Sequence, residues 1–464
     1  LSDAKNEIRL YFLFSSMNPV CPLDFRYGRE EMKRIFNEEA KLNYLLNVEA
    51  SLARAHAKLG NIPIECAEEI SKKASTRYVS LERVKEIEKE TKHDIVSVVK
   101  ALAEVCEGDA KKYIHLGATS YDIVDTANAL QFRDALDVLD AQLKKLRSTL
   151  VKLAKRYRDT IMLGRTHGQH TIPITFGLKM AVYAMEVNRH IERIRDCRKR
   201  LLVGKISGAV GTGAALGKHA KEIQEMVMKE LGLKAEEAST QIVGRDRYVE
   251  LAGVLANIAT SMEKFATEIR NLQRSEIGEV AEAFDVKKQV GSSTMPHKMN
   301  PITCEQICGL ARVIRSLSQV AHENAIQWHE RDLCNSSSER FWIPHCFILT
   351  DWIVFQMNEV FSNLKVFPER MRENIERSKG IPMAESVMML LVKKGMARER
   401  AHELVRGCAI EAQRRGTWLI DVLKREREIM DLVNEDELKD ALNPENYLGR
   451  AKEIVDEVVK RLEG

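Results

Sequence analysis

The sequence predicts an all-α chain, a body of long bundled helices with smaller helical domains at each end. Three observations lead there. Two heptad seams outrun an ordinary helix, strand-like alternation is scarce, and turn residues gather in short islands between periodic stretches.

The first part, residues 1–118, holds shorter helices broken at "LGNIP" and "CEGDA". Its opening begins with Leu1 and carries a five-residue apolar run, Leu10 to Phe14, far too short to span a membrane. We expect residues 1–16 to be a non-native extension and translation to start at Met17. A native intact mass that includes Leu1 would refute this.

The second part, residues 119–366, is the long-helix body. Its first seam runs through Phe132, Leu136, Leu139, Leu143, Leu146, Leu150, Leu153 and Tyr157, and its second through Leu251, Leu255, Ile258, Met262, Phe265, Ile269 and Leu272. Each implies at least seven turns, roughly 35 to 40 Å. Helices of that length need one another, or other subunits, to cover their apolar faces. Further helices are expected to begin at Pro173, at Pro301 and after Pro344. The third part, residues 367–464, starts at the break "VFPER" and contains short helices around a Gly380-Ile381-Pro382 turn.

Composition narrows the function classes. Apolar residues make up 44% of the 464 positions and charged ones 30%, a globular balance. Basic residues exceed acidic ones by only 72 to 68, a net charge of +4, which does not make a nucleic-acid surface. The densest basic run, Arg189 to Arg200, is interrupted by Glu192 and Asp196 at helical spacing and reads as a solvated face. Nine cysteines without CxxC pairs suit a reduced, cytoplasmic setting. Cys304 and Cys308 lack the further ligands zinc needs, and His167 with His170 lacks an acidic third, so no metal is expected.

The chemistry lies where helical periodicity stops. The islands are "KHD" (92–94), "HLGATSYD" (115–122), "GRTHGQH" (164–170), "GSSTMPHKMNP" (291–301) and "WHERDLCNSSSER" (328–340), rich in histidines, hydroxyls and cations and poor in acids. Such a set fits a small anionic ligand with carboxylates or phosphate. Thr119 and Ser120 are placed to cap a helix and leave N–H groups for an anion. Asn300 followed by Pro301 marks another helix start, with Lys298 beside it. Each feature also has a plain reading as a cap or a satisfied polar residue. The glycine run 204–217 lacks a full GxGxxG and a βαβ context, so it is weak as a dinucleotide loop.

The loop 291–301 closely resembles the signature of the fumarase/aspartase superfamily, whose members cleave C–N or C–O bonds to release fumarate. Within it the chain most resembles the adenylosuccinate lyases, through "DFRYGREEM", "KHDIVSVV", "HLGATSYDIVDTA", "GRTHGQHTIPITFGLKMA", "GKISGAVGT", "STQIVGRDR" and "WHERDLCNSSSER" in the same order. Met299 stands where arginine is common. Argininosuccinate lyase shares the loop, but usually with Gln at the position of His297, and is the alternative. A non-catalytic helical scaffold is the alternative from another class, and the joint presence of Ser292, His167, Lys298 and Asn300 argues against it.

The resemblance implies β-elimination of fumarate from adenylosuccinate giving AMP, and from SAICAR giving AICAR, in purine biosynthesis. It implies Ser292 as general base and His167 as general acid, with Lys298 and Asn300 stabilising charge on the substrate carboxylate. Arg26, Tyr27, Lys92, His93 and Asp94 would contact the nucleotide and Thr119 and Ser120 a succinyl carboxylate, with His115 and Gln241 lining the cavity. Ser293 would belong to the closing loop, Arg331, Ser336 and Arg340 to the nucleotide side, and Glu305 would orient a catalytic histidine. No cofactor is required, because one positioned residue can handle each proton. The resemblance further implies a homotetramer with shared sites, a small-molecule substrate, and neither nucleic-acid nor membrane partners.

Overall fold

Five helices of 23 to 37 residues dominate the chain: α1 (Ser120–Arg156), α2 (Phe176–Leu201), α3 (Asp246–Leu272), α4 (Ile302–Asn324) and α5 (Cys334–Ser362). The computed structural model describes residues 19–283, 294–295 and 298–463. The expected start at Met17 and the signature serines Ser292 and Ser293 lie outside them. Among the described residues strand structure is confined to three two-stranded pairings. The all-α expectation therefore holds.

Both heptad seams are buried. Every member of the α3 seam is at most 1% exposed, which is why a polar-flanked stretch stays helical for 27 residues. In α1 the seam is buried from Phe132 to Leu150, but Leu153 is half-buried and Ala154 takes its place. A straight helix drifts about 20° per heptad, so a strict seven-residue reading slips over a helix this long.

The chain forms two compact units, each gathered from three stretches. The first comprises the described residues up to Gln142, then Glu192–Thr260 and Leu310–Ile353. Its core joins the helices Glu38–Lys58, Ile64–Lys73 and Asp94–Val105 to the start of α1, through residues such as Leu46, Leu52, Ile70, Leu102, Ile123 and Leu130. Phe132 stacks on Phe347 and meets Tyr248 edge-on, at centroid distances of 5.9 and 5.1 Å.

The second unit comprises Leu143–Ile191, Ser261–Gly309 and Val354–Gly464. Tyr183 stacks on Phe265 at 4.2 Å within it. Its C-terminal helices, among them Ala384–Lys393 and Arg398–Arg415, close a smaller core of Val387, Leu391, Val405, Leu419 and Leu438. Gly380 (φ 78°) makes the expected turn before Ile381 and Pro382.

Two proline-based expectations are corrected. Pro173 does not open a helix: it lies in strand β2 (Gln169–Thr175), which pairs antiparallel with β1 (Ile161–Thr166). A two-stranded ribbon has only edge strands, where a missing N–H is tolerated. The next helix starts at Phe176, and the Thr175 hydroxyl caps it by accepting from the Leu178 N–H at 3.0 Å. Pro344 likewise starts nothing, because α5 begins at Cys334 and runs through it. Trp342 and Phe347, both fully buried, anchor the helix on either side and outweigh the lost hydrogen bond.

Candidate active site

Within the first unit, Arg340, Ser336 and Arg331 come together with Asp94, Gln241 and Tyr121. Arg340 Nη2 donates to Asp94 Oδ2 at 2.5 Å. Arg331 Nη1 donates to Gln241 Oε1 at 2.8 Å, and its guanidinium carbon lies 3.5 Å from the centre of the Tyr121 ring. The other two donor nitrogens of Arg331, Nε and Nη2, are buried and have no acceptor among the described residues. Unfilled buried donors are rare in native structures and call for an acceptor. Burial raises the Tyr121 pKa, against the Ser336 hydrogen bond and the Arg331 charge.

The islands 92–94 and 115–122 sit at helix ends. Lys92, in the left-handed region (φ 54°), ends the helix Leu81–Thr91, and the His93 ring accepts from the Val96 N–H at 3.4 Å to cap the helix begun by Asp94. Arg26 and Tyr27 follow a single helical turn, with Arg26 Nε donating to Tyr27 Oη at 3.3 Å. His115, also left-handed (φ 61°), contacts buried Glu49 at 2.6 Å through Nδ1. Burial works against charge on that ring, yet Glu49 holds its pKa above the ordinary histidine value.

Thr119 and Ser120 open α1, but the Thr119 N–H is already taken by Asp122 Oδ2 at 2.8 Å. That is half of a capping box. Asp122 also accepts from Ser207 N, Gly208 N and the fully buried Lys205 ammonium. The glycine run thus serves as a cradle for a buried carboxylate. Behind the Arg331 corner, Arg245 is clamped between Asp125 (2.9 Å) and Glu339 (2.6 Å), all three buried. Burial raises the Glu339 pKa against the pull of Arg245.

Sequence reading missed Glu49, Asp122, Asp125, Lys205, Arg245 and Glu339. One signal was present: Asp122 and Asp125 stand three apart on an otherwise apolar helical face, where a charge must be paired.

In the second unit, His167 and Gly168 form the two-residue turn of the β1–β2 hairpin, both at positive φ (53° and 76°), which exposes the imidazole at the tip. The root of the hairpin is fixed by Arg165, which makes two hydrogen bonds to the buried Glu279 at 2.7 and 2.9 Å. His170 is exposed on β2, and desolvation followed by the Arg165 charge lowers its pKa.

Lys298, Asn300 and Glu305 lie along the approach to α4. Lys298 is exposed, the Asn300 carbonyl accepts from Ile302 N at 2.9 Å, and Glu305 occupies the exposed first turn. The first-turn N–H groups of α4 are partly taken. Glu282 accepts from Thr303 N and Cys304 N at 3.2 and 2.7 Å, an acid drawn to the positive end of the helix. Glu305 makes no hydrogen bond to a histidine among the described residues.

Comparison with known proteins agrees with this arrangement of elements. Residues 24–316 match the Lyase family model and residues 380–458 match "Adenylosuccinate lyase C-terminus". The chain is 53% identical to the adenylosuccinate lyases of Methanothermobacter thermautotrophicus and Pyrococcus abyssi, covering 95% and 96% of this chain and 98% of each relative. Among solved structures it is similar to a fumarate lyase from Mesorhizobium sp. BNC1 (TM-score 0.86, 34% identity, 93% of this chain, 98% of that one). A 3-carboxy-cis,cis-muconate lactonizing enzyme from Pseudomonas putida also matches (TM-score 0.86, 32% identity, 95% and 98%). One architecture therefore serves more than one chemistry, and the C-terminal match together with the identity across nearly the whole length decides among them. The chain is a lyase and belongs to the adenylosuccinate lyase family.

Proposed function

We propose that this chain eliminates fumarate from adenylosuccinate to give AMP, and from SAICAR to give AICAR, in purine nucleotide biosynthesis. The observation that carries the reading is the Arg331 corner. A guanidinium seated on Tyr121 with two buried donors unfilled, beside Ser336 and Arg340, is suited to a phosphate or carboxylate.

In the proposed mechanism Ser292 removes the proton next to a succinyl carboxylate. Its poor basicity is offset by nearby cationic charge and by exclusion of water. Lys298 and Asn300 carry the charge that builds on that carboxylate, where one lost donor typically costs about 10² to 10³ in rate. His167 protonates the departing nitrogen, and its place on a hairpin tip rooted by Arg165 and Glu279 suits a group that must reach into a ligand. Arg26, Tyr27, Lys92, His93 and Asp94 bind the nucleotide, Thr119 and Ser120 the succinyl carboxylate, His115 and Gln241 the cavity wall, and Ser293 the closing loop. Glu305 orients a histidine. No cofactor is needed.

We assign the three sequence parts, 1–118, 119–366 and 367–464, as head, body and tail of a cytoplasmic homotetramer whose sites draw on several subunits. No helix of the described residues is long and apolar enough to cross a membrane. The test is absorbance change with adenylosuccinate, beside argininosuccinate and a Ser292→Ala control. Turnover of the nucleotide alone, lost in the variant, supports substrate and base together; turnover of argininosuccinate instead overturns the substrate. Mixing Ser292→Ala with His167→Ala protein should restore activity, and mixed tetramers that stay inactive would exclude shared sites.

A further inference from the structure

A cavity of about 360 Å³ in the first unit borders the Arg340 corner. Its wall includes Lys41, Asp94, Tyr121, Ser336, Glu339 and Arg340. Most charges there are already matched. Lys85 holds Glu38 at 2.5 Å, Arg245 holds Glu339 at 2.6 Å, and Arg340 holds Asp94 at 2.5 Å. Among the cations of this wall Lys41 is the exception: its ammonium makes no hydrogen bond or ion pair among the described residues.

Lys41 sits in the first turn of the helix Glu38–Lys58, fixed by the Asn37 side chain accepting from Ala40 N at 2.7 Å. Desolvation and then the Arg340 charge push its pKa below the ordinary lysine value, while Asp94, Glu339 and Glu38 pull the other way. Lys41, Asp94 and Arg340 thus line one cavity, with the carboxylate in contact with Arg340 and the Lys41 ammonium unpaired. A phosphate that draws Arg340 away would act on both groups at once. Asp94 would lose its partner, and the charge that repels Lys41 would be neutralised.

We propose that Lys41 is a positioning residue of the nucleotide end, which takes over the Asp94 carboxylate when Arg340 turns to the phosphate of the ligand. The inference rests on the assignment of Arg340 to the nucleotide. It explains how the ion pair can be opened on binding with a second cation at hand for the carboxylate.

The test is a double-mutant cycle read by Kd for AMP and by KM and kcat for adenylosuccinate. Lys41→Met is expected to weaken AMP and raise KM about fivefold, because the partly exposed Asp94 must then be released unpaired, with kcat within about twofold. In an Asp94→Asn background the same change should matter by less than about twofold, since no carboxylate remains to be adopted. Lys41→Arg should recover most of the loss. Equal factors in both backgrounds, a fall confined to kcat, or an Arg variant no better than Met would overturn the proposal. Arg340→Gln separates the two levels: unchanged KM there removes the nucleotide reading itself, whereas a raised KM with an unaffected Lys41→Met removes only the role of Lys41.

Discussion

The Arg331 guanidinium carbon lies over Tyr121, 3.5 Å from the ring centre, while Gln241 accepts one of its hydrogen bonds. Ring and amide together hold the planar fork with two donors facing away from protein acceptors. Such a geometry suits guanidinium and no other side chain.

Arg331→Lys is therefore expected to raise KM for adenylosuccinate by about ten- to a hundredfold, because the lysine keeps the charge and loses the fork. Tyr121→Leu should raise it less, by roughly two- to tenfold, through loss of the cation–π seat. Steady-state kinetics on both variants checks the order; a lysine variant with parental KM would contradict it.

Lys205 and Asp122 are both fully buried, and Asp122 takes three backbone N–H groups besides the ammonium. Removing only the cation strands a carboxylate. Lys205→Met should cost about 3–5 kcal/mol of stability, measured by urea denaturation. A loss under about 1 kcal/mol would mean the backbone donors suffice to hold the charge.

His115 and Glu49 give a pH signature. Since the folded His115 pKa is raised, the pair contributes stability that is fully present below the unfolded value of about 6.5 and is lost as pH rises through the folded value. The Tm gap between parent and Glu49→Gln should be widest below about pH 6.5 and narrow as pH rises above it. A gap that widens with pH would show that Glu49 acts otherwise.

Much of the fold was legible because burial on one face of a long helix leaves a periodic trace. The seam from Leu251 to Leu272 is buried as read. Pro173 and Pro344 misled because a proline reports only its own φ and missing N–H, whereas Thr175 capping α2 and Trp342 and Phe347 packing α5 decide where those helices run. Of the candidate site, the sequence showed the polar islands and hid the buried groups that support them. Asp94 and Arg340 are 246 residues apart and Asp125 and Arg245 are 120 apart, so nothing local marks them as partners.

The left-handed turn at His167 and Gly168 has a consequence for protein engineering. A histidine with φ 53° occupies a backbone position that glycine and asparagine fill with less strain, at a cost of about 1–2 kcal/mol to an ordinary L-residue. A redesign that ranks residues by backbone fit would write Asn-Gly at this tip and report a better hairpin. The gain would come from deleting the one imidazole that the turn presents, so this position has to be held fixed before any stabilising library is drawn.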